Sequence, residues 1–160
     1  MTQRIILITG GSEGMGLAAA ERFHAMGDQV VITGRSHEKM NKVSSRHSGI
    51  HTIVSDISCP DDRVRLFADI REHFGHIDVF FANAGLGLFK PFADISEEDF
   101  DFIADVNYKG LFFSLQGALG LMPHRSKIIV NASWTHHRAL EGASLYSSTK
   151  AAARYLVKAL

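Results

Sequence analysis

The stretch from Arg4 to Gly16 constrains the fold most. An unbroken apolar run, Ile5-Ile6-Leu7-Ile8, breaks at Thr9 into glycines at positions 10, 14 and 16, and the alanine-rich segment Leu17 to Phe23 follows. Short apolar run, glycines and then helix formers read as buried strand, tight turn and helix. Such a corner suits a dinucleotide. Gly10 would let the chain turn, Gly14 would let backbone N–H groups approach a pyrophosphate, and Gly16 would let the helix pack against the strand. The positive end of the helix would face the phosphates. Glycines alone leave an ordinary strand–turn–helix corner as the competing reading, so the rest of the chain has to decide.

The pattern repeats along the chain. Gly27 is placed to end the first helix as a left-handed cap. Gln29 to Thr33 is a second β-branched run stopping at Gly34-Arg35-Ser36, and Ser36 can cap a polar helix to about Arg46. His51 to Ser55 forms a third strand, ending at Asp56. Ser58-Cys59-Pro60-Asp61-Asp62 is a helix start, with a cap, an early proline and acids in the first turn. Ile77 to Ala82 is a fourth strand, running into Asn83-Ala84-Gly85. Ser96 with Asp99 resembles a capping box and opens one long apolar helix through Phe100, Ile103, Val106 and on to Leu121. Ile128 to Ala132 is a fifth strand ending at Ser133, and Tyr146 to Leu160 is a last helical segment. Strands that are continuous apolar runs, alternating with helices, predict an α/β fold with a parallel sheet covered on both faces.

The residues directly after the strands, Gly10, Gly34, Asp56, Asn83 and Ser133, fall where such sheets bind ligands, outside the carboxyl ends of the strands. Lysine plus arginine equal aspartate plus glutamate at 17 each. No global field steers the chain to nucleic acid or acidic membranes, so a small molecule or another subunit is the expected partner. Cys59 is alone, which excludes an internal disulfide framework and fits the reducing cytoplasm. No apolar run approaches the roughly 18 residues of a spanning helix, and the chain enters its first strand at once, so neither anchor nor signal peptide is expected.

Two features point from binding to catalysis. Tyr146 and Lys150 stand four apart on one helix face, and Ser133 follows the fifth strand. An ammonium near a phenol favours the phenolate, so a tyrosine so placed could exchange a proton with an alcohol or carbonyl oxygen. Ser133 could hydrogen-bond the same oxygen. The plain alternative is a tyrosine and a lysine that merely cover a helix surface.

Taken in order, Thr9-Gly10-Gly11-Ser12-Glu13-Gly14-Met15-Gly16, Asp56-Ile57, Asn83-Ala84-Gly85, Asn107, Ser133 and Tyr146-x-x-x-Lys150 resemble the successive motifs of the short-chain dehydrogenase/reductase family. The resemblance implies one dinucleotide-binding domain over residues 1–160, a Rossmann-type doubly wound parallel sheet with strand order 3-2-1-4-5. It implies Tyr146 as general acid/base, Ser133 as the residue orienting the substrate oxygen, and Lys150 on the nicotinamide ribose. Asn107 would hold a water linking Lys150 to solvent, unless it is a buried asparagine satisfied by backbone. Asp56 would accept from the adenine amino group and Ile57 would add a backbone contact. Asn83 would steady the fourth strand while Ala84 and Gly85 pass close to the cofactor. Ser12 and Met15 belong to the same phosphate loop.

Cofactor choice rests on the end of the second strand, where an acid would bind ribose hydroxyls and a nearby arginine would accept a 2′-phosphate. Gly34 and Arg35 stand there, about twenty residues past the loop, which favours NADP over NAD. Glu13 complicates this, because it could repel the phosphate or pair with Arg35. Substrate walls are expected from Gly87, Leu88 and Phe89 after the fourth strand and from Trp134 to Leu140 after the fifth, with Trp134, His136 and Leu140 among them. The His136-His137 pair lacks a carboxylate or cysteine at ligand spacing, so no metal is expected. The implied reaction interconverts a carbonyl and a secondary alcohol, in a homodimer or homotetramer. Family members usually continue for about another hundred residues, adding two strands and a segment that contacts the nicotinamide, so the sequence reads as interrupted within its last helix. A catalytically silent nucleotide-binding or oligomerising module is the alternative.

Overall fold

The computed structural model describes residues 3–160. Five strands, β1 (Ile5–Thr9), β2 (Gln29–Gly34), β3 (Ile50–Val54), β4 (Val79–Ala82) and β5 (Lys127–Val130), form one sheet in the order β3-β2-β1-β4-β5. Every pairing is parallel, with Leu7 opposite Val31 on one side and opposite Phe80 on the other. The helices are α1 (Gly14–Ala25), α2 (His37–Arg46), α3 (Pro60–His73), α4 (Glu97–Ala104), α5 (Leu111–Leu119) and α6 (Ser144–Ala159).

The period-2 alternation of the strands divides the core. Ile6, Ile8, Val30 and Ile32 pack with Ala20 of α1 and with Met40 and Val43 of α2. Leu7, Val31 and Phe80 face the other way, onto Leu66 and Ile70 of α3, Leu111 and Leu115 of α5 and Ala153 of α6. Both faces are apolar because helices cover both, which is why β1 reads as an unbroken run. Arg4 makes two hydrogen bonds to Asp28, 2.8 and 2.6 Å, tying the start of β1 to the turn that enters β2. Gly27, at φ +86°, makes that turn in the left-handed region expected for it.

Several boundaries differ from the sequence expectation. The fourth strand begins at Val79 rather than at residue 77; Asp78, just before it, still bonds Ile5 O and Lys127 N through its backbone and accepts the Ile5 N–H with its carboxylate. The fifth is Lys127–Val130 rather than 128–132, since the Ala132 N–H turns back to Val130 O. Cys59, not Ser58, occupies the cap of α3, and Ser58 instead bonds Asp56. The long helix is interrupted: between α4 and α5, Asp105–Gly110 form a π-helical turn. Gly110 lets that turn sit on the loop after β3, where a Cβ would come 2.8 Å from Ile57 O.

The capping box at α4 is present, with the Ser96 hydroxyl accepting from Asp99 N and the Asp99 carboxylate accepting from Ser96 N. Lys90 adds an ion pair to the same carboxylate at 2.6 Å. The Lys90 hydrogen bond and the Ser96 N–H hold the Asp99 carboxyl at about 2, down from 3.8. A depressed carboxyl stabilises the fold above its unfolded value and loses that contribution as pH falls towards its folded value. Asp99→Asn should therefore be less stable than the wild type at pH 7, with the difference shrinking between about pH 4 and 2, as read by urea denaturation across that range.

Candidate functional site

A cavity of about 460 Å³ opens at the carboxyl ends of the strands. Gly10, Ser12, Glu13 and Met15 line it from the corner between β1 and α1. Gly10 and Gly14 adopt φ of +66° and +55°, the left-handed region that glycine enters without steric cost. Glu13 gives no side-chain cap to α1, so the first-turn N–H groups of α1 keep their donors for another acceptor. Gly16 is buried under this corner, where a Cβ would stand 2.2 Å from Gly10 O and 2.6 Å from Asn83 Nδ2. Gly11, which no sequence signal distinguished from its neighbours, is equally tight: a Cβ there would meet the Ile32 side chain at 2.5 Å.

Beyond β2, Arg35, Ser36 and Lys39 line the cavity. Glu13 does not pair with Arg35, one of the two alternatives for it. Its carboxylate pairs with Lys39 Nζ at 2.6 Å, leaving Arg35 outside the pair. Lys39 lies on the polar helix α2, and only the fold brings that helix to the glycine corner.

Asp56 and Ile57 follow β3 and line the next part of the wall. One Asp56 carboxylate oxygen accepts from both the N–H and the hydroxyl of Ser58, at 2.9 and 2.7 Å, which leaves the other oxygen for a ligand. The Asp56 N–H donates to Asp62 at 2.8 Å, and this bond is the main reason the Asp62 carboxyl lies below its ordinary value. Thr33 and Ser55 also line the cavity, and their buried hydroxyls have no hydrogen-bond partner in the protein.

A hydrogen-bonded chain crosses the strand ends. Lys150 Nζ donates to Asn131 O at 2.8 Å, Asn131 Nδ2 donates to Asn83 Oδ1 at 2.9 Å, and Asn83 Nδ2 donates to Thr9 O and Gly10 O at 3.1 and 3.0 Å. Asn83 is thus a clamp between β4 and the glycine corner. Asn131 was missed by the sequence reading because the fifth strand was carried past it; its place as the first residue beyond a strand was the available signal. Lys150 is buried, and burial pulls its ammonium below the usual lysine range. Its Nζ stands 5.9 Å from the centroid of the Tyr146 ring, which packs against Phe89 at 5.7 Å. Gly85 leaves room for this cation, since a Cβ there would be 3.0 Å from Nζ. Asn83, Ala84, Gly85, Tyr146 and Lys150 all line the same cavity.

Asn107 is buried in the π-helical turn. Its Oδ1 accepts from Leu86 N at 2.7 Å and its Nδ2 donates to Leu86 O and Thr149 Oγ1, at 2.8 and 3.2 Å. Both amide protons are therefore used by the protein. Ser133 caps the short turn Trp134–His136: its oxygen accepts from Thr135 N and Thr135 Oγ1, at 3.2 and 2.9 Å, and its own proton stays free to donate. Ser133, Leu88, Trp134, His136 and Leu140 are not among the residues that line the cavity, whose apolar wall is made by Leu86, Phe89 and Val106. Trp134 and Leu140 are exposed. The His136 and His137 rings lie 3.9 Å apart, tilted by 46°, and the charge of His136, then burial, holds the His137 imidazole below its ordinary range. Among the described residues no three histidine, cysteine, aspartate or glutamate side chains are grouped to hold a metal.

The residues fit a dinucleotide by their own geometry. Glycine-lined contact, unpaired helix N–H groups, two buried hydroxyls without partners and one free carboxylate oxygen face one cavity, and a tyrosine and a lysine close its far end. Residues 4–160 match the family described as short chain dehydrogenase. The chain belongs to the short-chain dehydrogenase family. The chain is similar to an uncharacterised oxidoreductase of Staphylococcus haemolyticus, 34% identical over 93% of this chain and 66% of the relative, and to a sepiapterin reductase of Chlorobaculum tepidum, 36% identical over 99% and 70%. The chain also resembles the structure of an alcohol dehydrogenase from the archaeon Thermococcus sibiricus complexed with 5-hydroxy-NADP, with TM-score 0.92 and 30% identity over 99% of this chain and 70% of that one. It spans about two thirds of the curated relatives' length. Short-chain dehydrogenases use NAD(P), and the sheet order of this chain matches theirs. No helix among the described residues is long and apolar enough to cross a membrane.

Proposed function

We propose that this chain forms the dinucleotide site and carries the proton-transfer residues of an NADP(H)-dependent oxidoreductase that interconverts a carbonyl and a secondary alcohol. The observation that carries the reading is that Tyr146 and Lys150 share one cavity with the glycine corner and with Arg35. Gly10, Ser12, Gly14 and Met15 would hold the pyrophosphate, Asp56 and Ile57 the adenine, and Lys150 the nicotinamide ribose. The bound nicotinamide supplies or takes up the hydride. Tyr146 gives its phenolic proton to the carbonyl oxygen during reduction and takes it back during oxidation, with Lys150 keeping a positive charge beside the ring. Ser133, outside the lining of that cavity, keeps a proton free to donate and would fix the direction of the same oxygen. Asn107 secures the Leu86 backbone, on the cavity wall, against α6; a water held there would rest on its carbonyl side.

Arg35 supports NADP over NAD, because a guanidinium binds a phosphate through paired donors. The pairing of Glu13 with Lys39 supports it further, since the acid that could repel a 2′-phosphate has a cation at 2.6 Å. Arg35→Ala should raise the KM for NADP by roughly tenfold or more, the scale of one charge-assisted hydrogen bond, and leave the KM for NAD little changed. If wild type and variant prefer NAD equally, the NADP assignment is wrong. Turnover itself is tested by following nicotinamide absorbance with a panel of ketones and alcohols. Binding without turnover would instead mark a nucleotide-binding module. Exposed Phe100, Phe112 and Phe113 on α4 and α5 and Tyr155 on α6 support self-association of such chains.

A further inference from the structure

We infer that Arg63, which lies outside every motif the sequence singles out, is a positioning residue that sets the wall for the adenine of a bound dinucleotide; the inference rests on the dinucleotide reading above. Arg63 stands near the start of α3 and is only 7% exposed. Its location is unfavourable on two counts. A buried cation is costly unless paired, and among the described residues no carboxylate lies within ion-pair distance of it. A positive charge near a helix N-terminus also opposes the helix dipole.

What Arg63 touches instead is the loop after β3. Its Nη1 donates to the carbonyl oxygen of Ile57, and its guanidinium carbon stands 5.3 Å from the centroid of the Phe113 ring on α5. The same Ile57 carbonyl is the surface on which Gly110 packs. The preceding residue is held from the same helix, since Asp62 accepts the Asp56 N–H. Consecutive residues of α3 therefore fix consecutive residues of the cavity wall, one through a carboxylate and the other through a guanidinium. Removing Arg63 deprives the Ile57 carbonyl of its guanidinium donor, while Asp62 still holds the Asp56 N–H. The loss should fall on the adenosine half of the ligand.

The test uses ADP as the probe, with binding measured by calorimetry and amide hydrogen exchange followed along the chain, on wild type, Arg63→Ala and Arg63→Lys. Arg63→Ala should weaken ADP binding by roughly tenfold, because the proposed adenine wall loses its guanidinium anchor. Millimolar methylguanidinium should restore part of that affinity, and faster exchange should be confined to residues 56–58. Arg63→Lys, which keeps the charge without the planar donors, should show the same selective loss and decides the matter if the alanine variant does not fold. Unchanged ADP affinity overturns the inference and leaves the dinucleotide reading standing. Exchange that quickens throughout the chain, with no rescue, overturns it too, because the role is then general packing. A wild type that binds no ADP removes the dinucleotide reading and the inference together.

Discussion

Gly16→Ala is expected to abolish dinucleotide binding and to destabilise the fold by about 3 kcal/mol, the upper part of the range for forcing a methyl into packed space. The added Cβ would meet Gly10 O at 2.2 Å, Asn83 Nδ2 at 2.6 Å and Gly10 C at 2.9 Å. None of these neighbours can retreat cheaply. Gly10 is fixed in its left-handed turn, and Asn83 Nδ2 is held by Thr9 O and Gly10 O. Relief by moving α1 away from β1 would carry the first-turn N–H groups off the cavity. Gly14→Ala is the control, because nothing lies within 4 Å of its Cβ and only its φ of +55° resists the change, at about 1 kcal/mol. Urea denaturation and dinucleotide fluorescence titration compare the two. Equal effects in both measurements would refute this account of the corner.

Tyr146→Phe should lower kcat by roughly 10²- to 10⁴-fold, the usual contribution of a positioned acid/base, while cofactor affinity stays within about twofold. The substitution removes one oxygen and leaves the ring where it is, against Phe89 and beneath the Lys150 ammonium. Lys150 keeps its bond to Asn131 O, so the cation proposed to hold the nicotinamide ribose stays in place. Loss of affinity in parallel with turnover would point to a binding role for the phenol. Turnover untouched by the substitution would sink the acid/base assignment. Steady-state kinetics beside a direct binding titration distinguishes these results.

The sheet was legible because its strands are apolar on both faces, and a continuous run such as Ile5 to Ile8 has few other places to go. The glycine corner was legible for a related reason, since positive φ and close backbone contact both demand glycine. Pairings between elements distant in sequence were not. Nothing in a sequence says that Lys39 on a polar helix reaches Glu13, or that the carbonyl beneath Lys150 belongs to Asn131. Arg63 was invisible for another reason: an arginine in a helix start rich in charge reads as a solvated face, and its place over the Phe113 ring of α5 exists only in the fold. Ser133 and Asn107 could be named, but their hydrogen bonds to Thr135, Leu86 and Thr149 had to be seen.

The π-helical turn has a consequence for phase. Ile103, Asn107, Leu111 and Leu115 are all buried and recur every four residues. On a pure α-helix that spacing drifts by roughly 40° at each step and about 120° over three, enough to turn one end of the stripe towards solvent. A wider turn at residues 105–110 absorbs the drift. It lets a single length of chain keep Asn107 on the Leu86 backbone and Leu111 and Leu115 in the core. The site's polar anchor and its apolar footing are thus kept in step by one local change of pitch.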